Sequence, residues 1–413
     1  MEFKNDAEPL VAERLGAERL GFDASRLKRI DQWMRRYVDE RKFPGASVIV
    51  ARHGEIAHFS AAGLRSIEQN KPYERDTIVR IYSMTKPITS LALMMLMERG
   101  LFHLDTPIDR FLPEFSNCTA LIEGATSIEQ TKPCLPPTIH QILTHTSGLS
   151  YSFNEGILAQ AYAQQSLDFG PGDDHLEQRV KRVAEIPLAF TPGSRWEYSI
   201  GIDIIGRLIE VLSGQPLDQF LQEQIFEPLG MSDTGFTVPE DKQSRFASCY
   251  HYTDDNPLAP MDPGMSDRYQ PGKNSILSGG GGLVSTLDDY LKFAEMIRLG
   301  GTLNGNKLVS SHTLDFMRHN HLPGDISSMG PSSFAETPMD GMGFGIGGSV
   351  VLDPARQRTP GSVGDFGWGG LASTFWWTDP IEQMNVIFFT QLVPSSTYAS
   401  RPELKALVHG ALL

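Results

Sequence analysis

Cysteine is scarce in this sequence, and the few that occur exclude two classes of protein. Only Cys118, Cys134 and Cys249 are present among 413 residues. An odd number without a C-x-x-C pair neither suits a disulfide framework nor supplies the ligand spacing of a structural zinc site. The cysteine usage therefore predicts a protein of a reducing compartment.

Positive charge is also in deficit. Lys and Arg number 36 against 50 Asp and Glu, which gives a formal net charge of −14. An acidic surface repels nucleic acid and anionic membranes, and no basic block with interleaved aromatic residues overrides this average. We expect neither nucleic acid nor a membrane as a partner, and the sequence leaves the oligomeric state open.

Long apolar runs are missing as well. No segment approaches the roughly 18 apolar residues of a membrane span. The first residues, "MEFKNDAEPLVAERLG", are acidic and lack the apolar stretch of a signal peptide. We therefore expect a cytoplasmic protein, and its 40% of apolar residues are sufficient for a large core.

Strand signals cluster at both ends of the chain. Residues 46–63, "ASVIVARHGEIAHFSAAG", and residues 373–393, "STFWWTDPIEQMNVIFFTQLV", each contain two β-prone runs around a turn. The region between them carries helical patterns, such as the apolar stripe of "DIIGRLIEVLSG" at 203–214, which ends at a glycine. We expect an α/β fold of the α+β type, with one antiparallel sheet built from both chain ends.

This pattern also predicts two domains. Residues 1–82 and 275–413 would form the sheet and its flanking helices, and residues 83–274 an inserted, mainly helical domain. An amphipathic helix is expected at 25–41, and the residues from 323 to 348 are predicted to be a long loop because they are rich in Pro, Gly and Ser. The active site would lie at the junction of the two domains.

A serine and a lysine three residues apart suggest covalent catalysis. In "IYSMTKPITS", residues 81–90, a helix would place Ser83 and Lys86 on one face, ahead of an apolar run that predicts a buried helix. Burial lowers the pKa of a lysine, which can then accept the serine proton. Chance remains an alternative, because Ser25 and Lys28 have the same spacing. In this second match we expect Ser25 to be the N-cap of a surface helix and Lys28 to be a solvated charge.

Six motifs in a fixed order distinguish the first match from the second. Together they resemble the serine β-lactamase-like superfamily, and within it the family VIII carboxylesterases, which are relatives of class C β-lactamases and penicillin-binding proteins. This resemblance implies a β-lactamase/transpeptidase-like fold. The motifs are "SMTKPIT" (83–89, with its first residue Ser83), "LTHTSGL" (143–149), "TPGSRWEYS" (191–199), "IFEPLGM" (225–231), "GGGGLVSTLDDY" (279–290) and "WGG" (368–370).

The resemblance assigns roles to individual residues. It implies that Ser83 is the nucleophile, Lys86 its activating partner and Tyr198 a second proton-transfer group. Lys86 and Tyr198 would act as a coupled pair, and which of them is the base stays open. Water would then hydrolyse an acyl-enzyme on the serine.

The same resemblance implies an oxyanion hole made by two backbone N–H groups. One belongs to Ser83, and the other to Leu371, which follows Trp368, Gly369 and Gly370. Glycines allow close backbone approach at such a strand. Without the other motifs, a glycine-rich turn into a strand would explain this segment equally well.

Departures from the family pattern bear on the substrate. No K-T-G motif is present, so Trp368 stands where a lysine would bind the antibiotic's carboxylate. Ile200 stands two residues after the tyrosine, where related hydrolases have an asparagine that binds the substrate amide. Both changes favour small, neutral, short-acyl esters, with room for a weak side activity on β-lactams. Tyr151 and Phe153 are further candidates for the pocket wall, unless they serve packing.

Other functions are disfavoured by missing patterns. No G-x-S-x-G occurs, and "GFGIGG" (343–348) precedes a strand-like run rather than a helix, so we expect no dinucleotide cofactor. The histidine spacings fit no helical zinc pair, so we expect no metal, and His145 is interpreted as structural. A β-lactamase, a D-amino-acid peptidase or amidase, and a non-catalytic binding descendant remain as alternatives.

Overall fold

The computed structural model describes residues 16–168, 175–261, 268–274, 276–335 and 337–413. Its main feature is an eight-stranded sheet in which all neighbouring strands are antiparallel. In spatial order the strands are β14 (Met342–Phe344), β15 (Ser349–Val351), β16 (Phe366–Gly369), β17 (Phe375–Asp379), β18 (Met384–Thr390), β1 (Gly45–Arg52), β2 (Glu55–Ser66) and β3 (Lys71–Pro72).

The described residues also contain α-helices and short strands outside the large sheet. The helices are α1 (Ala24–Asp39), α2 (Thr85–Glu98), α3 (Ile139–Leu143), α4 (Ile157–Gln164), α5 (Leu176–Ala184), α6 (Gly201–Ser213), α7 (Leu217–Leu221), α8 (Glu227–Leu229), α9 (Leu287–Arg298), α10 (Ser311–Arg318) and α11 (Ser400–His409). The short strands are β4 (Val79–Arg80), β5 (Thr119–Leu121), β6 (Thr131–Pro133), β7 (Tyr250–His251), β8 (Ala259–Pro260), β9 (Val284–Ser285), β10 (Thr302–Leu303), β11 (Asn306–Lys307), β12 (Ser333–Phe334), β13 (Thr337–Pro338) and β19 (Leu392–Val393).

The two ends of the chain meet in the middle of the large sheet. Strand β1 pairs with β18 from Ala46 opposite Thr390 to Arg52 opposite Met384. Every residue of β18 is buried, because helices cover both faces of the sheet. The predicted antiparallel sheet from both chain ends is therefore confirmed.

Two cores lie on opposite faces of this sheet. The inner core joins residues of the sheet, such as Ile387, with Leu91 of α2 and Ile205 of α6. The outer core joins Phe388 with α1 and α11. Helix α2 is thus packed between the sheet and the helical region, and twelve of its fourteen residues are buried.

Local signals mark several helix ends as expected, with one correction. Helix α6 ends at Gly214, whose φ of 71° is left-handed and suits glycine. At the start of α1, however, Asp23 is the N-cap and not Ser25. The Asp23 carboxylate accepts hydrogen bonds from the backbone N–H groups of Ser25 and Arg26, and a carboxylate is the stronger acceptor at a helix start.

The predicted loop from 323 to 348 contains more regular structure than expected. It includes the β12–β13 hairpin and the edge strand β14, in which Met342 pairs with Val351 of β15. The error has a physical reason, because an edge strand needs backbone pairing on one side only and tolerates glycine.

The domain boundaries at 83 and 274 stay a prediction. Ser275, the first residue predicted for the second part of the sheet domain, lies outside the described residues. Within the predicted sheet domain β4 pairs with β9, so the segment before α2 is tied to the segment that follows residue 279. In the described parts of the chain, no helix has the length and apolar character that a membrane span needs, and all three cysteines are free thiols.

Candidate active site

A short strained segment places Ser83 at the start of α2. Residues Tyr82–Met84 form a 3-10 turn between β4 and the helix. Tyr82 has a φ of 43°, which is unusual for a residue with a side chain. Such strain persists only where the surrounding structure enforces it, and it commonly marks a functional position.

Lys86 lies one turn further along, and its amine is enclosed by three oxygen atoms. Its side chain is buried, and its Nζ lies 3.3 Å from Ser83 Oγ, 2.9 Å from Tyr151 Oη and 2.7 Å from the Gly280 carbonyl oxygen. An ammonium would donate to all three. A neutral amine would donate to two and accept the serine proton, so the same geometry serves both protonation states.

The Gly280 carbonyl is held in place by Asp203 of α6. Asp203 Oδ1 accepts hydrogen bonds from the Gly280 N–H at 3.0 Å and from Ser278 Oγ at 2.5 Å. A side chain at position 280 would collide with the Asp203 carboxylate, so glycine permits this approach. Burial raises the pKa of Asp203 to about 6, although the nearby Lys86 charge favours the carboxylate.

Sequence reasoning did not identify Asp203 or Gly280 as part of the site. Two signals were available: an aspartate inside an otherwise apolar helical stripe, and a run of four glycines at 279–282. Neither signal shows that these segments, 77 residues apart, meet beside Lys86.

The two tyrosines of the site have different partners. Tyr151 Oη contacts the Lys86 amine directly, and burial raises the pKa of Tyr151 well above its usual range. Tyr198 Oη instead accepts a hydrogen bond from Trp368 Nε1 at 3.2 Å. The Lys86 amine lies 4.7 Å from the centre of the Tyr198 ring. The sequence predicts Tyr198 beside the lysine and Tyr151 in the pocket wall, and the structure brings both rings to the Lys86 amine.

His145 packs behind Tyr198. Its Nδ1 accepts a hydrogen bond from the Ser199 backbone N–H at 3.2 Å, and its ring centre lies 4.8 Å from that of Tyr198. Burial lowers the pKa of His145 well below its usual value, with the Lys86 charge acting in the same direction. The neutral ring supports the tyrosine segment, in agreement with the structural role expected for it.

The predicted oxyanion groups lie at the end of β16. A side chain at Gly370 would collide with the Ile81 carbonyl oxygen and the Thr374 hydroxyl, so glycine allows this strand end to approach the segment before Ser83. Within the described residues, the backbone N–H groups of Ser83 and Leu371 donate to no protein oxygen. Both residues line one cavity, as an oxyanion hole requires.

Aromatic rings form the walls above these groups. The Trp368 and Phe334 rings are stacked with centres 5.9 Å apart, and Phe334 belongs to the β12–β13 hairpin. On the other side the Phe153 ring stacks on Tyr151 at 4.7 Å. Because the Trp368 N–H is already bonded to Tyr198, Trp368 offers the substrate apolar surface alone.

These residues enclose a cavity of about 680 Å³. Ser83, Tyr151, Phe153 and Tyr198 line it, as do Trp368, Gly369, Gly370 and Leu371. Ile200, also considered for the pocket, is fully buried in the inner core and is not among the lining residues. It is the N-cap residue of α6, and its backbone N–H donates to the Ser150 carbonyl.

One group of side chains, of which Asp365 lines the same cavity as Ser83, has the composition of a metal site. Asp365, Asp379 and His409 offer ligand atoms within 4.8 Å of one another. Lys405 Nζ donates to Asp365 Oδ2 at 2.8 Å, and Ser362 Oγ donates to Asp379 Oδ2 at 2.7 Å. Each carboxylate thus already accepts a hydrogen bond from a protein side chain, and the absence of a metal stays a prediction.

Sequence similarity to a known family extends over most of the chain. The family model described as Beta-lactamase matches residues 30–410 of this chain. The chain belongs to the Beta-lactamase family. This family assignment confirms the likeness inferred from the six motifs.

Members and neighbours of the Beta-lactamase family match almost the whole chain. Esterase EstB of Burkholderia gladioli is 34% identical over 397 residues, which are 92% of this chain and 94% of the esterase. The structure of EstCE1, a hydrolase with promiscuous acyltransferase activity, matches with a TM-score of 0.78 and 28% identity, covering 97% of this chain and 99% of that one.

A further structural neighbour is simvastatin synthase (LovD) of Aspergillus terreus. It matches with a TM-score of 0.78 and 26% identity over 94% of this chain and 98% of that one. Together with the family match, these structures confirm the predicted β-lactamase-like fold.

Proposed function

We propose that the protein is a serine carboxylesterase that hydrolyses neutral esters through an acyl-enzyme on Ser83. The observation that carries the proposal is the 3.3 Å contact between Ser83 Oγ and the buried Lys86 amine, at the wall of a cavity large enough for an ester. The names of EstB and EstCE1, an esterase and a hydrolase, support this choice within the family. The family VIII assignment and the cytoplasmic location belong to the same proposal.

Acylation would begin with transfer of the Ser83 proton to the Lys86 amine, assisted by the tyrosines. The serine oxygen attacks the ester carbonyl, and the N–H groups of Ser83 and Leu371 stabilise the negative oxygen that forms. As the carbon–oxygen bond to the alcohol breaks, the proton passes to the departing alkoxide. The Gly280 carbonyl keeps the lysine amine oriented during both transfers.

Deacylation would repeat these steps with water as the nucleophile. Water gives a proton to the same basic group and attacks the acyl carbonyl, and Ser83 regains a proton as the acid leaves. Tyr198 is the second proton-transfer group of the proposal, and Tyr151, whose hydroxyl contacts the lysine amine directly, is the competing candidate.

Neutral, short-acyl esters suit the wall above Ser83. Trp368 supplies apolar surface where a β-lactamase-like relative would have the lysine of K-T-G, and its only donor is bonded to Tyr198. An ester also has a better leaving group than an amide. A β-lactamase, or a peptidase or amidase acting on D-amino acids, is the alternative enzyme, and a non-catalytic binding protein is the third candidate.

Parallel assays with p-nitrophenyl butyrate and nitrocefin test the proposal. We expect hydrolysis of the ester that disappears in Ser83→Ala, with little or no cleavage of nitrocefin. Ester hydrolysis that survives Ser83→Ala would refute the role of this serine. Rapid nitrocefin cleavage would favour the β-lactamase alternative, and no hydrolysis of either compound would favour the binding protein.

A further inference from the structure

Two of the three cysteines lie opposite each other at the base of one hairpin. Strands β5 and β6 are antiparallel, and their last pair places Thr119 opposite Pro133. Continued by one residue, this register brings Cys118 opposite Cys134. The Cys134 N–H donates to the Cys118 carbonyl oxygen at 3.1 Å, so the pairing does continue to the cysteines.

The backbone holds these two residues at the separation that a disulfide needs. Directly opposite residues of an antiparallel pair point to the same side of the two strands, and both cysteine side chains pack against the inner core. The Cα atoms of a hydrogen-bonded pair are about 5.5 Å apart, and a disulfide joins Cα atoms about 4.4–6.8 Å apart. Each cysteine is also partly exposed, so a small reagent can reach it.

Only a local movement separates the free thiols from a bond. The Cys118 thiol donates to the Phe115 carbonyl at 3.0 Å, and it would leave this acceptor when it turns toward Cys134. Opposite Cβ atoms are about 4.5–5.5 Å apart and a disulfide prefers about 3.5–4.5 Å, so the two strands must close slightly. A disulfide with this requirement is reduced more easily than an unstrained structural one.

We propose that Cys118 and Cys134 form a reversible disulfide that fastens the base of the β5–β6 hairpin. Cys249 takes no part, because it is buried in a separate cluster with Tyr82 and Ala372. The odd cysteine count then corresponds to one redox-active pair and one buried thiol. The disulfide does not depend on the esterase function and is measured without a substrate.

A small-molecule disulfide such as oxidised glutathione supplies the oxidant. Burial raises the pKa of both thiols, to about 12 for Cys118, whereas the Lys132 charge opposes this shift at Cys134. The Cys134 thiolate therefore attacks first and releases one glutathione thiol. The Cys118 thiolate then attacks the Cys134 sulfur of the mixed disulfide and releases the second. The cysteines lose two protons and two electrons, which the two glutathione molecules gain.

The hairpin base is joined to two segments that carry active-site motifs. The Leu188 N–H donates to the Thr119 carbonyl at 2.7 Å, and the Ala189 N–H donates to the Gly148 carbonyl at 2.7 Å. Gly148 belongs to "LTHTSGL", and Leu188 and Ala189 lead into "TPGSRWEYS". A bond between the cysteines would close residues 119–133 into a loop and so resist unfolding of this region.

Thiol mapping tests the proposal on the full-length chain. The protein is equilibrated with oxidised glutathione, its free thiols are alkylated in denaturant, and its peptides are identified by mass spectrometry. We expect a linked peptide that contains Cys118 and Cys134, with alkylation at Cys249 alone, and three alkylated cysteines after treatment with dithiothreitol. Three free thiols in the oxidising buffer, persistent mixed disulfides with glutathione, or a bond that includes Cys249 would overturn the proposal.

Two variants test whether strand register is the cause. Cys249→Ser keeps the pair and should oxidise as the parent does. The double variant Asn117→Cys with Cys118→Ser moves the thiol to the adjacent exposed residue, which points to the other side of the strand. This variant should form no internal disulfide. Oxidation as complete as that of the parent would refute the role of the register.

Thermal unfolding measures whether the bond fastens the folded hairpin. We expect the oxidised protein to unfold at a temperature about 3 °C above that of the reduced protein, because the closed loop restricts the unfolded chain. Cys118→Ser is the matched control, and the same oxidising treatment should leave its unfolding temperature unchanged. Equal unfolding temperatures of the oxidised and reduced parent would contradict a fastening role.

Discussion

The floor and the rim of the active-site cavity are held in different ways. At the floor, hydrogen bonds from a buried amine reach Ser83, Tyr151 and a backbone carbonyl. At the rim, Phe153 is 57% exposed and Phe334 lies on a two-residue strand, and the contacts described for both are with aromatic rings. The proposed chemistry thus depends on fixed polar geometry, whereas the proposed substrate range depends on residues that are easier to replace.

The largest effect is expected at the floor. Lys86→Met keeps an apolar stem but removes the amine, so the Ser83 proton loses its acceptor and the Gly280 carbonyl its donor. We expect kcat with p-nitrophenyl butyrate to fall at least about a thousandfold. Lys28→Met is the matched control, because Lys28 belongs to the other S-x-x-K match and is exposed. Activity of Lys86→Met within tenfold of the parent would contradict its role.

Substitutions of the two tyrosines compare the contributions of two residues at the floor of the cavity. Tyr198→Phe removes the hydroxyl that we assign to proton transfer, and we expect kcat/KM to fall about a hundredfold. Tyr151→Phe removes a direct partner of the lysine amine, and we expect a loss of about tenfold. If steady-state kinetics give the larger loss for Tyr151→Phe, the two roles are exchanged.

Asp203 holds the Gly280 segment at the floor of the cavity, and the burial of its carboxyl group lowers the stability of the folded protein by an amount that depends on pH. The pKa of this carboxyl rises from 3.8 to about 6 on folding. Between these values the unfolded chain releases a proton that the folded protein keeps, so the stability contributed by this group falls as pH rises and the penalty is complete above about pH 6.

Asp203→Asn removes this titration. As the pH rises from about 4 to about 7, the free energy of unfolding of the variant should increase by about 3 kcal/mol relative to that of the wild type, since one pKa unit corresponds to about 1.4 kcal/mol. Urea unfolding at several pH values measures the difference. A difference that does not change with pH would mean that Asp203 titrates normally in the folded protein.

The smallest effect is expected at the rim. Phe153→Ala removes an exposed ring that stacks on Tyr151, so we expect KM for p-nitrophenyl butyrate to rise about threefold to tenfold while kcat changes less than about threefold. Leu135→Ala is the control, because it removes an apolar side chain that is 84% exposed and does not line the cavity. A larger effect on kcat than on KM would assign Phe153 to the floor.

Local patterns predicted the parts that depend on near neighbours. The spacing of Ser83 and Lys86 gives their contact directly, because helix geometry brings residues three apart together. Alternating β-prone runs predicted β1, β2, β17 and β18. Contacts between distant segments were harder to predict: the sequence pairs Lys86 with Tyr198, and the structure adds a direct hydrogen bond from the lysine amine to Tyr151.

The sequence by itself determined the spacing of Ser83 and Lys86, the strands at both chain ends and the lack of a K-T-G lysine, because each depends on residue type and short spacing. Only the tertiary structure decided that the Gly280 carbonyl orients the lysine and that the end of β16 approaches the segment before Ser83. Both depend on where segments meet that lie far apart in the chain. These tertiary contacts follow from the packing of whole helices and strands, which no local sequence pattern encodes.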